Sequence, residues 1–199
     1  MNLFQHIWLA GCWVVFGMSH SVMSTERFKE NARPFFGKRF KYYRLCYSVI
    51  ATLLLVYILY YHFSMDSFLL WQAPVIEKAI ALVTAVVGMV IMLFCMRKYF
   101  FDLSGIDALL KRQRVIHLET GGLNGYVRHP LYTGTLLFVW SFFLWQPLVS
   151  NLVSFGCIML YTIIGARFEE RKLTGIFGEE YKSYAARVPL LIPKLFKAK

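Results

Sequence analysis

Residues 131–166 read LYTGTLLFVWSFFLWQPLVSNLVSFGCIMLYTIIGA, 36 consecutive positions without Lys, Arg, Asp or Glu. A helix needs roughly 20 apolar residues to cross a hydrocarbon core about 30 Å thick. This stretch therefore holds two spans, with a reversal near Gln146, Pro147, Ser150 and Asn151. Toward the amino terminus, Val75–Met96, Arg44–Met65 and Leu3–Met23 are each long enough for one span more. The expected fold is all-α and integral to a membrane, with five transmembrane helices in a single domain over residues 1–199.

Charge falls between these runs. The chain carries 22 Lys and Arg against 11 Asp and Glu, a formal net charge of +11, and only Lys78 lies outside residues 27–44, 97–128 and 167–199. The connections 66–74 and 146–151 contain neither Lys nor Arg. Cytoplasmic loops attract positive residues, so all three basic segments are expected inside, with the amino terminus outside and the carboxyl terminus inside. A chain that is 58% hydrophobic offers no soluble face to a nucleic acid. Anionic membrane lipids are the expected counter-charge. Leu3–Met23 lacks a basic leader and a small-residue cleavage site and reads as a retained span. Cys12, Cys46, Cys95 and Cys157 are far apart, with no metal-ligand spacing, so no metal site is expected.

Each cytoplasmic segment has its own character. Thr25–Tyr43, with Pro34 and Gly37, suits an interfacial helix or turn whose Phe28, Phe35, Phe36 and Phe40 enter the headgroup layer. Residues 97–128 are long for a connection and hold the polar, glycine-rich run Glu119-Thr120-Gly121-Gly122-Leu123-Asn124-Gly125-Tyr126. Next comes Arg128-His129-Pro130-Leu131-Tyr132-Thr133-Gly134. Pro130 suits the first helical position, which puts His129 at the N-cap and free N–H groups at the positive end of the helix dipole. Such a helix start is prepared for a carboxylate or phosphate, although Arg128, His129 and Tyr132 also suit simple interfacial anchoring. The third segment opens with Arg167-Phe168-Glu169-Glu170-Arg171 as the last span ends. Carboxylates at that depth are paired or functional. Helical spacing continues through Leu173, Phe177, Tyr181 and Tyr184, with a break expected at Gly178 and an end at Pro189 and Pro193.

Taken together, Arg128-His129-Pro130-x-Tyr132-x-Gly134, then Glu169-Glu170-x-x-Leu173, Phe177-Gly178-Glu179-Glu180-Tyr181-x-x-Tyr184, Arg187-Val188-Pro189 and Ile192-Pro193 resemble the isoprenylcysteine carboxyl methyltransferase family. The resemblance extends to its bacterial relatives, among them the methanethiol S-methyltransferase and phospholipid methyltransferase-like branches. His20-Ser21 and Tyr42-Tyr43-Arg44-Leu45 add a weaker likeness to the methanethiol methyltransferase and NnrU-like branches. The resemblance implies a methyltransferase in a bacterial inner membrane, with a catalytic region over about residues 97–193. It implies S-adenosylmethionine at the cytoplasmic face, in a pocket formed by the cytoplasmic loop and the carboxyl-terminal helix. His129 and Tyr132 would contact that cofactor, with Gly125, Tyr126, Val127 and Glu169 around it, and Glu170, Arg167 and Arg128 would be the catalytic groups. The acceptor would be a carboxylate or thiol on a small or lipid-soluble molecule. Gly165 stands where carboxyl-methylating members carry an arginine. The alternatives are a b-type haem protein with His6 and His62 as axial ligands, and a non-catalytic NnrU-like membrane protein.

Overall fold

The structure, a computed structural model, describes residues 3–104 and 117–193. Residues 105–116 of the second basic segment lie outside the described part. The fold is all-helical. Helix α1 (Leu3–Ser24) leads into a short α2 (Glu26–Phe36) and a 3-10 stretch (Gly37–Tyr42), then α3 (Tyr43–Ser64) and α4 (Val75–Ser104). A 3-10 turn at Gly122–Gly125 precedes α5 (Pro130–Trp145), α6 (Val149–Phe177) and α7 (Glu179–Arg187). Helix α1 packs between α3 and α6, and α5 packs between α4 and α6, so both halves of the chain meet at α6.

Four helical segments are long and apolar enough to cross a membrane: Leu3–Ser24, part of Glu26–Ser64, Val75–Arg97 and Val149–Phe177. The fifth expected span is α5, at 16 residues. At a rise of about 1.5 Å per residue it reaches about 24 Å, short of a full hydrocarbon core. The reversal expected between the last two runs falls at residues 146–148, where α5 stops and α6 begins. Helix α6 carries 29 residues and is about 43 Å long, so its last turns project beyond the apolar layer.

Burial is inverted relative to a water-soluble protein. Leu53, Val83, Leu160 and Ile164 are exposed, whereas His6, His62, Asn151, Ser154 and Thr162 are buried. In lipid the apolar side chains face outward and polar groups must find partners inside. They do so in one chain of hydrogen bonds. Asn151 Nδ2 donates to Phe142 O (3.2 Å) and Gln146 O (2.8 Å), so its Oδ1 accepts from His62 Nε2 at 2.9 Å. Trp13 Nε1 donates to Ser154 Oγ at 2.9 Å, and the Ser154 hydroxyl donates to His62 Nδ1 at 2.9 Å. Nearby, Ser67 Oγ accepts Ser150 N–H (2.9 Å) and pairs with His6 Nε2 (3.2 Å). The two connections at this end are stitched by Leu70 N to Pro147 O (2.8 Å) and Val149 N to Phe68 O (3.0 Å).

The opposite end carries the basic segments. Thr25 caps α2 with its hydroxyl, and Gly37 turns the chain at a φ of 49°, a conformation that favours glycine. Phe35 on α2 is fully exposed, as an interfacial helix requires. Helices α4 and α5 approach most closely at Gly88 and Gly134. A Cβ at Gly88 would lie 2.7 Å from both Gly134 O and Phe138 N. Small residues at such a crossing allow the backbone contact that drives association in lipid.

Gly88→Ala is therefore expected to force α4 and α5 apart and to destabilise the fold by about 1–3 kcal/mol, the usual cost of overpacking. Gly11→Ala, at a position with nothing within 4 Å, is the matched control and should be near neutral. Thermal unfolding in detergent distinguishes the two.

Candidate functional site

The end of the bundle that carries the basic segments is organised by Arg128. Its Nε and Nη2 bind the two oxygens of Glu170 at 2.6 and 2.8 Å, a bidentate pair. Its Nη1 donates to Ala185 O (2.8 Å) and Val188 O (2.6 Å). Glu170 Oε1 also accepts Tyr181 Oη (2.8 Å) and lies 3.2 Å from His129 Nε2. Arg128 thus ties the start of α5 to the end of α6 and to α7. Burial lowers the guanidinium pKa, but its hydrogen bonds to Glu170 and the carboxylate's charge outweigh this and leave it above its ordinary value. Burial and then the hydrogen bond to Glu170 raise the Tyr181 hydroxyl well above its ordinary value.

Gly178, at φ 56°, breaks α6 from α7 and lets α7 fold back on it, as the sequence reading expects. Beyond α7 the chain runs extended beside the α5 start. Arg128 N donates to Pro189 O (2.9 Å), His129 N to Leu190 O (3.2 Å), and Thr133 Oγ1 to Leu191 O (2.7 Å). The expectation of free N–H groups at this helix start is therefore met one turn further in. Pro130 has no N–H, and the N–H groups of Leu131 and Tyr132 have no carbonyl partner among the described residues.

Against this frame lies a cavity of about 600 Å³. One wall holds His129, Leu131, Tyr132, Glu169, Leu173 and Phe177, closed below by Arg128, Asn124, Tyr181 and Tyr184. His129 and Tyr132 are stacked, with centroids 5.3 Å apart and planes 13° from parallel. Glu169 Oε2 accepts Tyr132 Oη at 3.1 Å and lies 3.5 Å from His129 Nδ1, yet 47% of its side chain remains exposed. His117, Leu118 and Glu119 form another edge, with His117 Nε2 2.5 Å from Glu119 Oε1. The facing wall comes from the other half of the chain: His20 of α1, Arg44 of α3 and Cys95 of α4. A second cavity, beside Phe94 and Gly121–Leu123, shares Cys95 and Asn124 with it.

The expected site residues divide accordingly. His129, Tyr132, Glu169 and Arg128 meet at the cavity. Glu170, expected to be catalytic, is not among the described lining residues, and its oxygens are taken by Arg128, Tyr181 and His129. Arg128 borders the cavity, but four of its five N–H groups are already bonded. Arg167 is exposed and is not among the described lining residues; it lies two positions, about 200° of helical rotation, before Glu169. Gly125, Tyr126 and Val127 do not line the cavity either. Tyr126 is exposed and Val127 buried, and the glycine-rich turn contributes Asn124 instead. Asn124 is held by Tyr184 Oη donating to its carbonyl (2.7 Å) and by its own Nδ2 donating to Arg128 O (3.3 Å).

Sequence reasoning did not assign Tyr181, Tyr184 or Asn124 to the site, although the helical spacing of the two tyrosines marks one face of α7. His20 and Arg44 fall in the two short stretches of weaker family likeness, but nothing local joins them to the cavity, because more than 80 residues separate them from Arg128. The haem alternative loses its ligands. Both ring nitrogens of His62 are hydrogen-bonded to Asn151 and Ser154, and His6 Nε2 is engaged by Ser67. Among the described residues no group of three or more His, Cys, Asp or Glu is placed to hold a metal ion.

Comparison with known proteins gives these features a context. The chain is 28% identical over 188 residues to methanethiol S-methyltransferase 1 of Bradyrhizobium diazoefficiens, which covers 90% of the chain but only 64% of that protein. It is 28% identical over 194 residues to the methanethiol S-methyltransferase of Crocosphaera subtropica, covering 92% of the chain and 72% of the relative. A shorter match, 36% over 90 residues, joins 42% of the chain to 36% of the protein-S-isoprenylcysteine O-methyltransferase of Schizosaccharomyces pombe. No solved structure matches the chain significantly. The family model described as NnrU protein matches residues 8–193, which take in α1 through α7, the Arg128–Glu170 pair and every described residue that lines the cavity, and the chain belongs to that family.

Proposed function

We propose that this chain is an integral-membrane methyltransferase that uses S-adenosylmethionine and methylates a small thiol at the cytoplasmic face. The cavity between the start of α5 and the end of α6 carries this reading, because its groups suit that donor. Glu169 offers a half-exposed carboxylate to an ammonium group. The N–H groups of Leu131 and Tyr132, at the positive end of α5, suit a carboxylate. Leu173 and Phe177 supply apolar surface for a ring system, and the tyrosine faces suit a sulfonium cation.

When bound, S-adenosylmethionine supplies a methyl group already activated on a sulfonium sulfur. The protein's part is to position acceptor and donor in line and to keep water out, which supplies most of the acceleration in such a displacement. Arg128 and Glu170 then act by holding the walls in place rather than by touching the reacting atoms. The thiol is favoured over a carboxylate acceptor on two grounds. The relatives matched along most of this chain are named as methanethiol S-methyltransferases. Where carboxyl-methylating enzymes would carry an arginine, Gly165 leaves room, and a Cβ there would lie 4.0 Å from Tyr132 Oη.

The same reading places α5 across the membrane as a fifth, short span. It is packed between α4 and α6, both long enough to cross, and its polar start lies with the basic segments. The amino terminus is then outside, and the site and carboxyl terminus are inside. Single cysteines in a cysteine-free background at Lys38 and Lys182 should react with an impermeant maleimide only in opened cells, and one at Gln72 should react in intact cells. Labelling of position 38 from outside would reverse the orientation.

Glu169 and Glu170 should separate cleanly on substitution. Glu169→Gln is expected to weaken S-adenosylmethionine binding by about 1.5–3 kcal/mol, roughly 10- to 150-fold, with little change in thermal stability. Glu170→Gln removes the charge that pairs with the partly buried Arg128 and should destabilise the fold by about 1–3 kcal/mol. Calorimetric titration and thermal melts on detergent-purified protein measure both. Absence of S-adenosylmethionine binding in the wild-type chain would instead support the non-catalytic reading.

A further inference from the structure

The cavity is lined from both halves of the chain, and the proposed function uses only the residues of α5 and α6. The wall from α5 and α6 carries the Glu169 carboxylate, while the wall from α1 and α3 carries His20 and Arg44. Arg44 is half-buried at the first turn of α3, and no ion pair links it to any carboxylate among the described residues. Arg128, which lines the same cavity, has four N–H groups bonded. A half-buried guanidinium without a counter-charge, facing a cavity, is an attraction for an anion.

His20 is held as a positioned group. Its Nδ1 lies 2.9 Å from Tyr161 Oη, which also accepts Ser21 Oγ at 3.3 Å. The Tyr161 ring is itself fixed, because it fits over Gly17, where a Cβ would lie 2.8 Å from Cδ2. Tyr47 lies 5.3 Å from the imidazole on one side and Phe16 5.9 Å on another. This collar occupies Nδ1 and leaves Nε2 as the nitrogen available where His20 borders the cavity.

Resting on the methyltransferase reading, we propose that His20 and Arg44 form the acceptor subsite and that its ligand is a small thiol that reacts as the thiolate. His20 Nε2 takes the thiol proton, and Arg44 stabilises the negative sulfur that remains. The sulfur lone pair forms the new carbon–sulfur bond to the methyl group. The bond from that carbon to the donor sulfonium breaks, its electron pair returning to the donor sulfur, which becomes a neutral thioether. His20 then releases the proton to the cytoplasm, so thiol and sulfonium give two thioethers and one proton. The division of charge has a simple logic, since the cationic donor faces Glu169 and the anionic acceptor faces Arg44.

The test uses the full chain purified in detergent, with S-adenosylmethionine and methanethiol, and dimethyl sulfide measured in the headspace. His20→Gln should leave S-adenosylmethionine affinity within about twofold while lowering kcat/KM for the thiol at pH 7 by about 100-fold or more, the usual contribution of a general base. That loss should shrink as pH rises and thiolate forms in solution, a response that a merely structural histidine would not produce. Arg44→Ala should raise the KM for the thiol at least tenfold with donor affinity unchanged, and Arg44→Lys should recover part of it. Thermal melts check that each variant is folded, and Tyr161→Phe, which loosens the imidazole without removing it, should give a smaller loss in kcat alone. Turnover at the wild-type rate in both folded variants overturns the assignment, as does a loss of donor binding that accounts for the whole defect. A wild-type chain that binds S-adenosylmethionine but methylates neither methanethiol nor ethanethiol overturns the thiol subsite and leaves the methyltransferase reading standing. One that binds no S-adenosylmethionine overturns both.

Discussion

The Arg128–Glu170 pair is the contact on which the end carrying the basic segments depends. Two charges this well shielded are costly to bury, and they are tolerated because the pair is bidentate and nearly every remaining donor and acceptor is used. Arg128 reaches the carbonyls of Ala185 and Val188, and Glu170 receives Tyr181 and His129. Removing either charge strands the other and unties three helices. The angle between α5 and α6, and so the width of the cavity, follows from this one contact.

The rest of the molecule makes that contact effective. A lipid-embedded bundle has no hydrophobic drive between its helices, so they are registered by close packing and by polar groups that must find partners. Gly88 and Gly134 bring α4 against α5 at backbone distance, and Gly17 admits the ring of Tyr161 between α1 and α6. At the far end, His62, Asn151, Ser154 and Trp13 satisfy one another, with each donor matched to an acceptor. That end is a finished structural network. The end that carries the basic segments has an exposed carboxylate and, among the described residues, N–H groups without a carbonyl partner and a half-buried arginine without an ion pair, which suits a site that receives a ligand.

The function we propose needs no nucleophilic triad. A sulfonium donor needs little activation, and the demands on the protein are alignment, dryness and a charge-matched surface for each partner. A cavity walled by Glu169 on one side and Arg44 on the other meets them. The donor wall is contributed by the carboxyl-terminal half and the facing wall by the amino-terminal half. The catalytic region expected over residues 97–193 therefore extends, in the site we propose, back to His20.

The all-helical, membrane-spanning class was legible along the chain because it follows from local sums. Runs of about 20 apolar residues make spans, and clustered Lys and Arg mark the loops. Local rules also placed Pro130 at a helix start and Gly178 at a helix break, and both stand in the structure. The motif around His129 and the paired glutamates was visible as spacing, but spacing could not say which glutamate faces the cavity. One helical step, 100° of rotation, turns Glu170 toward Arg128 and Glu169 toward the opening, and only packing against α5 and α7 sets that rotation. Arg167 lies outside the lining of this cavity, as do Gly125, Tyr126 and Val127, which the family resemblance placed around the cofactor; their turn contributes Asn124. His20 and Arg44 stood out only in a weak family likeness that gave them no role, because their place at the cavity comes from proximity to residues more than 80 positions away. Composition and period determined what crosses the membrane and which end is polar. The meeting of α1 and α3 with α5 and α6 decided which charges face each other, since long-range contact is a property of packing and leaves no periodic mark on the chain.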